Sequence, residues 1–93
     1  MSISKKISLV TVTYNSEKII YKFLTSLKLI EKQLNEIIII DNNSKNFDAK
    51  KIKKISKKIK IIQNNKNIGF AKAVNQGIKT SKSDFILLLN PDT

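Results

Sequence analysis

Hydrophobic positions change their spacing several times along this chain, and each change marks an element. Ile7–Thr13 (ISLVTVT) is rich in β-branched residues and runs out at Tyr14-Asn15, which predicts a first strand. Ile19, Ile20, Phe23, Leu24, Leu27 and Ile30 then recur at helical intervals, predicting a helix over 17–33. Ser16 is its expected N-cap, and Glu17 places negative charge in the first turn, where the helix dipole favours it. Residues 36–40 are apolar through the centre, as in a strand covered on both faces, and end at Asp41. Asp48 is placed to cap a further helix, with Phe47 and Ile52 as a hydrophobic staple across its start. Lys50/Lys54 and Lys53/Lys57 repel one another at i,i+4 spacing, so this helix should be short and weak. Ile59–Gln63 reads as a third strand, 64–68 as a loop, and 69–79 as a helix burying Phe70, Ala73, Val74 and Ile78. Residues 84–89 form the expected fourth strand.

Strands alternating with helices require parallel pairing with right-handed crossovers. The expected fold is α/β: a three-layer, Rossmann-like open sheet with parallel strands in the order 3-2-1-4. Its switch point then falls between the first and fourth strands. Residues 85–89 (FILLL) are more apolar than an exposed edge strand should be. They are expected to be covered, either by a second chain or by a second copy in a homo-oligomer.

Each strand ends in a polar cluster: Tyr14-Asn15-Ser16, Asp41-Asn42-Asn43-Ser44, Asn64-Asn65-Lys66-Asn67 and Asn90-Pro91-Asp92. Open parallel sheets bind ligands at the carboxyl ends of their strands. Asp41 can accept a hydrogen bond from a base or ribose, or can simply close an Asx-turn. Tyr14 can stack on a base or cap the core with its hydroxyl in water. Gly69 permits a tight turn into a helix whose amino end could face an anion. Asn75 and Gly77 are unfavourable inside that helix, glycine by roughly 1 kcal/mol, which points to close packing or to close approach of a ligand. Lys72 can reach a phosphate. Pro91 stiffens the turn that holds the Asp92 carboxylate, and Pro-Asp is also an ordinary turn dipeptide.

Composition narrows the chemistry. Ninety-three residues make one domain, without cysteine for disulfides or thiolate sites and without histidine as a neutral-pH base. A metal must therefore be a hard cation held by oxygen, Mg²⁺ or Mn²⁺, and one carboxylate with a substrate diphosphate and water would serve. The formal charge of +11 comes from lysine alone, with no arginine. It reads either as an anion-binding surface or as a coding bias toward Lys, Ile and Asn. Lack of the bidentate arginine fork weighs against specific nucleic-acid readout. Nothing resembles a signal peptide, and apolar runs such as Ile37–Ile40 fall far short of a membrane span. The expected location is the cytoplasm, at the inner face of the membrane if the partner is lipid-linked.

Taken in order, VTVTYN, EIIIIDNNS, NIGFAKAVNQGI and LLLNPD closely resemble the start of family 2 glycosyltransferases, particularly their rhamnosyltransferase-like members. The resemblance runs from Ile7 to Thr93. It implies a GT-A fold and transfer of a sugar from a nucleotide diphosphate donor to a cell-surface glycan or lipid-linked acceptor. By that resemblance Thr13, Tyr14 and Asn15 line a nucleoside pocket and Asp41 holds the base. Gly69, Lys72 and Asn75 lie near the ribose or diphosphate. Asn90-Pro91-Asp92 stands where the family has Asp-x-Asp, with Asp92 as ligand of Mg²⁺ or Mn²⁺ and Asn90 in place of the first aspartate. The family's catalytic base lies beyond the metal-binding turn. Residues 1–93 are thus expected to be the amino-terminal, nucleotide-sugar-binding part of such a domain, ending before the acceptor-binding half and inactive alone. The rival reading is a non-enzymatic lysine-rich domain on nucleic acid or anionic surfaces. A dinucleotide-binding dehydrogenase is disfavoured by the missing G-x-G-x-x-G, and a phosphoacceptor receiver by the missing acidic pair after the first strand.

Overall fold

The computed structural model describes residues 6–91. β1 (Ile7–Thr13), β2 (Glu36–Asp41), β3 (Ile59–Gln63) and β4 (Phe85–Leu88) form a parallel sheet in the order β3-β2-β1-β4, as the alternation requires. The helices are α1 (Glu17–Ser26), α2 (Ala49–Lys53) and α3 (Phe70–Thr80). Side chains alternate across the sheet with a period of two. Leu9, Ile37, Ile39 and Ile59 face Ile20, Phe23 and Leu24 of α1 and Ile52 of α2. Val10, Ile38 and Ile40 face Ala73 of α3. The result is three layers, and the register Thr13↔Asp41↔Gln63 brings three strand ends level at the carboxyl edge.

The expected helix over 17–33 is shorter than its periodicity suggests. α1 stops at Ser26, and two 3₁₀ turns follow, Leu27–Leu29 and Glu31–Gln33. At the break, the Thr25 hydroxyl donates back to the Tyr21 carbonyl (2.9 Å) and the Ser26 hydroxyl to that of Phe23 (2.6 Å). Such hydroxyls compete for backbone carbonyls and loosen a helix end. Leu27 and Leu34 still reach the core through these turns, while Leu29, opposite the buried stripe, is 91% exposed. Ser16 occupies the N-cap position without capping, because its hydroxyl donates to the Tyr14 carbonyl at 2.9 Å. Asp48 does cap α2, accepting from the Lys51 amide at 3.1 Å, and that helix has only five residues.

The buried face of α3 also differs from expectation: Phe70 and Ile78 are exposed, while Ala73 and Gly77 are buried. The smallest residues set the contact line. A Cβ at Gly77 would lie 2.5 Å from Val10 Cγ1 and 2.9 Å from Ile40 Cδ1, so packing of the backbone onto β1 and β2 explains this glycine. β4 is the opposite edge case. Phe85, Ile86, Leu87 and Leu88 are each more than a third exposed. Their pairing with Ile7–Val10 sends them alternately to both faces of the sheet.

The amino edge is held by a buried carboxylate. Glu36 is 2% exposed and accepts from the Ser8 hydroxyl (2.5 Å), the Lys60 ammonium (2.7 Å) and the Lys82 amide (2.7 Å). Burial pushes its pKa up, but hydrogen bonds from Lys60, Ser8 and the Lys82 amide, with the Lys60 charge, outweigh this and hold it at about 2. One side chain thus joins β1, β2, β3 and the turn before β4.

Candidate functional site

At the carboxyl edge, β1 ends in Tyr14, half-exposed, and Asn15, whose φ of +48° is left-handed. Asparagine tolerates that conformation better than most residues. Asn15 donates its amide to Ser44 Oγ at 2.7 Å and accepts from the Lys45 amide through Oδ1 at 3.0 Å. The end of β1 is therefore fastened to the loop after β2. Within that loop Asn43 has φ +68°, and the Ser44 amide donates to Asp41 Oδ2 at 2.9 Å. The Ser44 hydroxyl donates to Asp41 Oδ1. The Asp41 side chain thus closes a turn three residues long, around a residue only 1% exposed. A carboxylate has about four acceptor positions, so two remain for a ligand donor that reaches the turn.

A second set of bonds brings in α3. Asn42 is buried and donates through Nδ2 to the Gly69 carbonyl at 3.2 Å. Its Oδ1 accepts from Asn64 Nδ2 at 3.0 Å, and Asn64 exchanges paired amide bonds with Gln76 at 2.9 and 2.8 Å. The Asn64 amide donates to the Asp41 carbonyl at 2.9 Å. Gly69, at φ +86°, precedes the first turn of α3 and donates its amide to Asn67 Oδ1 at 2.9 Å. A side chain there is strained whatever the space around it.

Thr13, Asn15, Asp41 and Gly69 thus meet on one rim, with Tyr14 beside them in the chain. Lys72 and Asn75 project from the first two turns of α3 and are exposed. No hydrogen bond among the described residues links them to the rim. Asn90 is exposed two residues past Leu88, which pairs with Val10. Asp92 lies outside the described residues. Among the described residues no group of three or more His, Cys, Asp or Glu is placed to hold a metal ion.

Beside the Asp41–Ser44 turn, on the α1 side, lies a cavity of about 160 Å³ lined in part by Thr13, Asn15, Tyr21, Ser44, Lys45 and Asp48. The Tyr21 hydroxyl is buried without a hydrogen-bond partner among the described residues. Burial, then the nearby Asp48 and Glu17 charges, raise its pKa, so it stays a protonated donor. Residue types alone singled out neither Tyr21 nor the Asn42–Asn64–Gln76 chain. Asn42, Ser44 and Asn64 sat inside marked polar clusters, but nothing in the sequence pairs Asn64 with Gln76.

Residues 8–93 match the family model described as Glycosyl transferase family 2. The chain belongs to that family. It is 34% identical over 82 residues to the poly-beta-1,6-N-acetyl-D-glucosamine synthase of Staphylococcus aureus, covering 86% of this chain and 20% of that protein. The family 2 chain therefore spans about a fifth of the length of the curated relatives it matches. Among solved structures it superposes on S. aureus TarS 1-349 with a TM-score of 0.79 at 29% identity, over 94% of this chain and 27% of that one. The Pyrobaculum calidifontis mannosyltransferase PcManGT, solved with GDP-Man and Mn²⁺, gives a TM-score of 0.80 over 98% of this chain and 28% of its own. At 15% identity that likeness shows the fold alone. Its sheet order and helix placement are those of a GT-A glycosyltransferase. No helix among the described residues is long and apolar enough to cross a membrane.

Proposed function

We propose that the carboxyl edge binds the nucleotide diphosphate of an activated sugar, for transfer of a hexosyl or rhamnosyl group to a glycan or lipid-linked acceptor. The observation that carries this reading is the hydrogen-bonded convergence of Thr13, Asn15, Asp41 and Gly69 in a family 2 chain. The half-exposed Tyr14 ring stacks on the base, while Thr13, Asn15 and Asp41 contact the nucleoside. Gly69 sits at the amino end of an eleven-residue helix, whose unpaired amides and dipole favour an anion. In this reading the exposed Lys72 and Asn75 serve the ribose or diphosphate, and Asn90 the ribose. The likeness to a fold solved with GDP-Man and Mn²⁺ supports a divalent ion, Mg²⁺ or Mn²⁺, here held by Asp92. When bound, such an ion neutralises charge on the departing diphosphate.

The catalytic base and acceptor pocket belong to polypeptide other than these residues, so the chain alone does not transfer sugar. Further polypeptide covers β4, and the assembled enzyme acts on the cytoplasmic side. Calorimetry with UDP and dTDP, with and without Mn²⁺, tests the donor site. Tyr14→Ala removes an exposed ring and should weaken binding about fivefold or more. Asp41→Ala should weaken it on the order of tenfold. Affinity unchanged in both variants, or no nucleotide binding by the natural chain, would remove the rim from the donor site.

A further inference from the structure

The lysines are not spread evenly over the fold. The layer formed by α1, the two 3₁₀ turns and α2 with its following turn (residues 17–34 and 48–58) carries ten of the eighteen lysines, against Glu17, Glu31 and Asp48. Among the described residues the one salt bridge of the chain lies elsewhere, between Lys60 and Glu36. Lys50, Lys53, Lys54 and Lys57 are exposed, and the i,i+4 pairs among them oppose one another. Among the described residues no salt bridge offsets that repulsion.

Three hydrogen bonds bring this basic segment onto the turns that follow α1. Lys58 donates through Nζ to the Glu31 and Leu34 carbonyls, each at 2.7 Å, and the Ser56 hydroxyl donates to Glu31 Oε1 at 2.6 Å. Ser56 and Lys58 are thereby tied to the 3₁₀ turn that holds Lys32. Leu29, in a turn between two exposed lysines, is almost wholly in solvent. Leu29 lies opposite the buried stripe formed by Ile20, Phe23, Leu24 and Leu27, so it faces solvent.

We propose that this face docks on an anionic phospholipid bilayer, with the lysines on headgroup phosphates and Leu29 inserted at the acyl boundary. A nucleic acid would account for the charge but not for a projecting leucine, and the lysine ammonium lacks the planar fork suited to reading bases. Each lysine near an anionic surface contributes about 1 kcal/mol, roughly fivefold in partitioning. α1 runs back from the carboxyl edge and residues 54–58 lead into the start of β3, so docking through the 3₁₀ turns and Lys53, Lys54 and Lys57 leaves the carboxyl rim open to solvent. The inference is independent of the donor-site reading, since it needs no nucleotide.

The test is sedimentation of the 93-residue chain with phosphatidylcholine vesicles, with and without about a third phosphatidylglycerol. Binding is expected with the anionic vesicles alone and should fall steeply between about 0.1 and 1 M salt. Combined Lys53→Gln, Lys54→Gln and Lys57→Gln should lower it on the order of a hundredfold. The chain has no tryptophan, so Leu29→Trp gives a single reporter whose emission should shift to the blue on anionic vesicles. Equal binding to neutral vesicles would assign adhesion to the apolar β4 instead and overturn the proposal. So would an unshifted reporter, insensitivity to the lysine changes, or retention on duplex DNA in place of vesicles.

Discussion

Glu36 offers the most quantitative test of how this sheet is held. Its carboxylate titrates near 4.5 in an unfolded chain and at about 2 in the fold. A depressed folded pKa means that the charged form stabilises the native state. That contribution is fully present above about pH 5 and is lost as pH falls through the folded value near 2. At 1.36 kcal/mol per pH unit the difference amounts to on the order of 3 kcal/mol, and screening of the half-exposed Lys60 ammonium trims it to about 2. For a domain of this size that is a large share of the usual 5–15 kcal/mol. Glu36→Gln keeps the shape and removes the charge. Losing Glu36 leaves Lys60 in water at little cost, but the Ser8 hydroxyl and Lys82 amide then face a neutral amide that accepts from fewer donors. Urea unfolding followed at steps from pH 7 to pH 2 should show the natural chain more stable by about 2–3 kcal/mol at neutral pH. The difference between the two proteins should close towards pH 2. Parallel stability curves across that range would refute the assignment, since every other carboxylate is common to both proteins.

Other consequences of the packing are as easily checked. Gly77→Ala gains roughly 1 kcal/mol of helix propensity but drives a methyl into Val10 and Ile40, for which overpacking costs of about 1–3 kcal/mol are usual. A net loss of stability in urea unfolding is expected, and a gain would show that α3 can lift from the sheet without cost. Thr11 is wholly buried, and its hydroxyl has no hydrogen-bond partner among the described residues. Thr11→Val, nearly isosteric, should therefore raise the thermal midpoint by several degrees, equivalent to about 1 kcal/mol. A lower midpoint would reveal a partner for that hydroxyl, such as a buried water.

What could be read from residue order, and what could not, follows from the range of the forces involved. Strand positions and sheet order were legible because apolar runs such as Ile37–Ile40 specify burial on both faces, and parallel connectivity leaves few topologies. The carboxyl rim was legible because each strand must end in groups that tolerate water; Asp41 does so in a turn that its own side chain closes, and Asn15 by bonding to the loop after β2. Helix length was misjudged at Ser26, where hydroxyl-to-carbonyl bonds override a hydrophobic spacing that continues to Leu34. The α3 face was misjudged because large apolar residues seemed to mark it, whereas the approach to Val10 is limited by the size of Gly77. Long-range polar pairs were invisible for a further reason. The mutual amide bonds of Asn64 and Gln76 and the triple acceptance by Glu36 depend on elements far apart in sequence landing within hydrogen-bond distance. Both systems also act at sheet edges, one carrying α3 toward the carboxyl rim and the other fixing strand starts at the opposite end. Local pattern therefore decided which elements form, while side-chain polarity at the two edges decides how accurately the rim is assembled. Disturbing Glu36 should change stability and leave donor affinity alone, whereas changing Tyr14 should do the reverse.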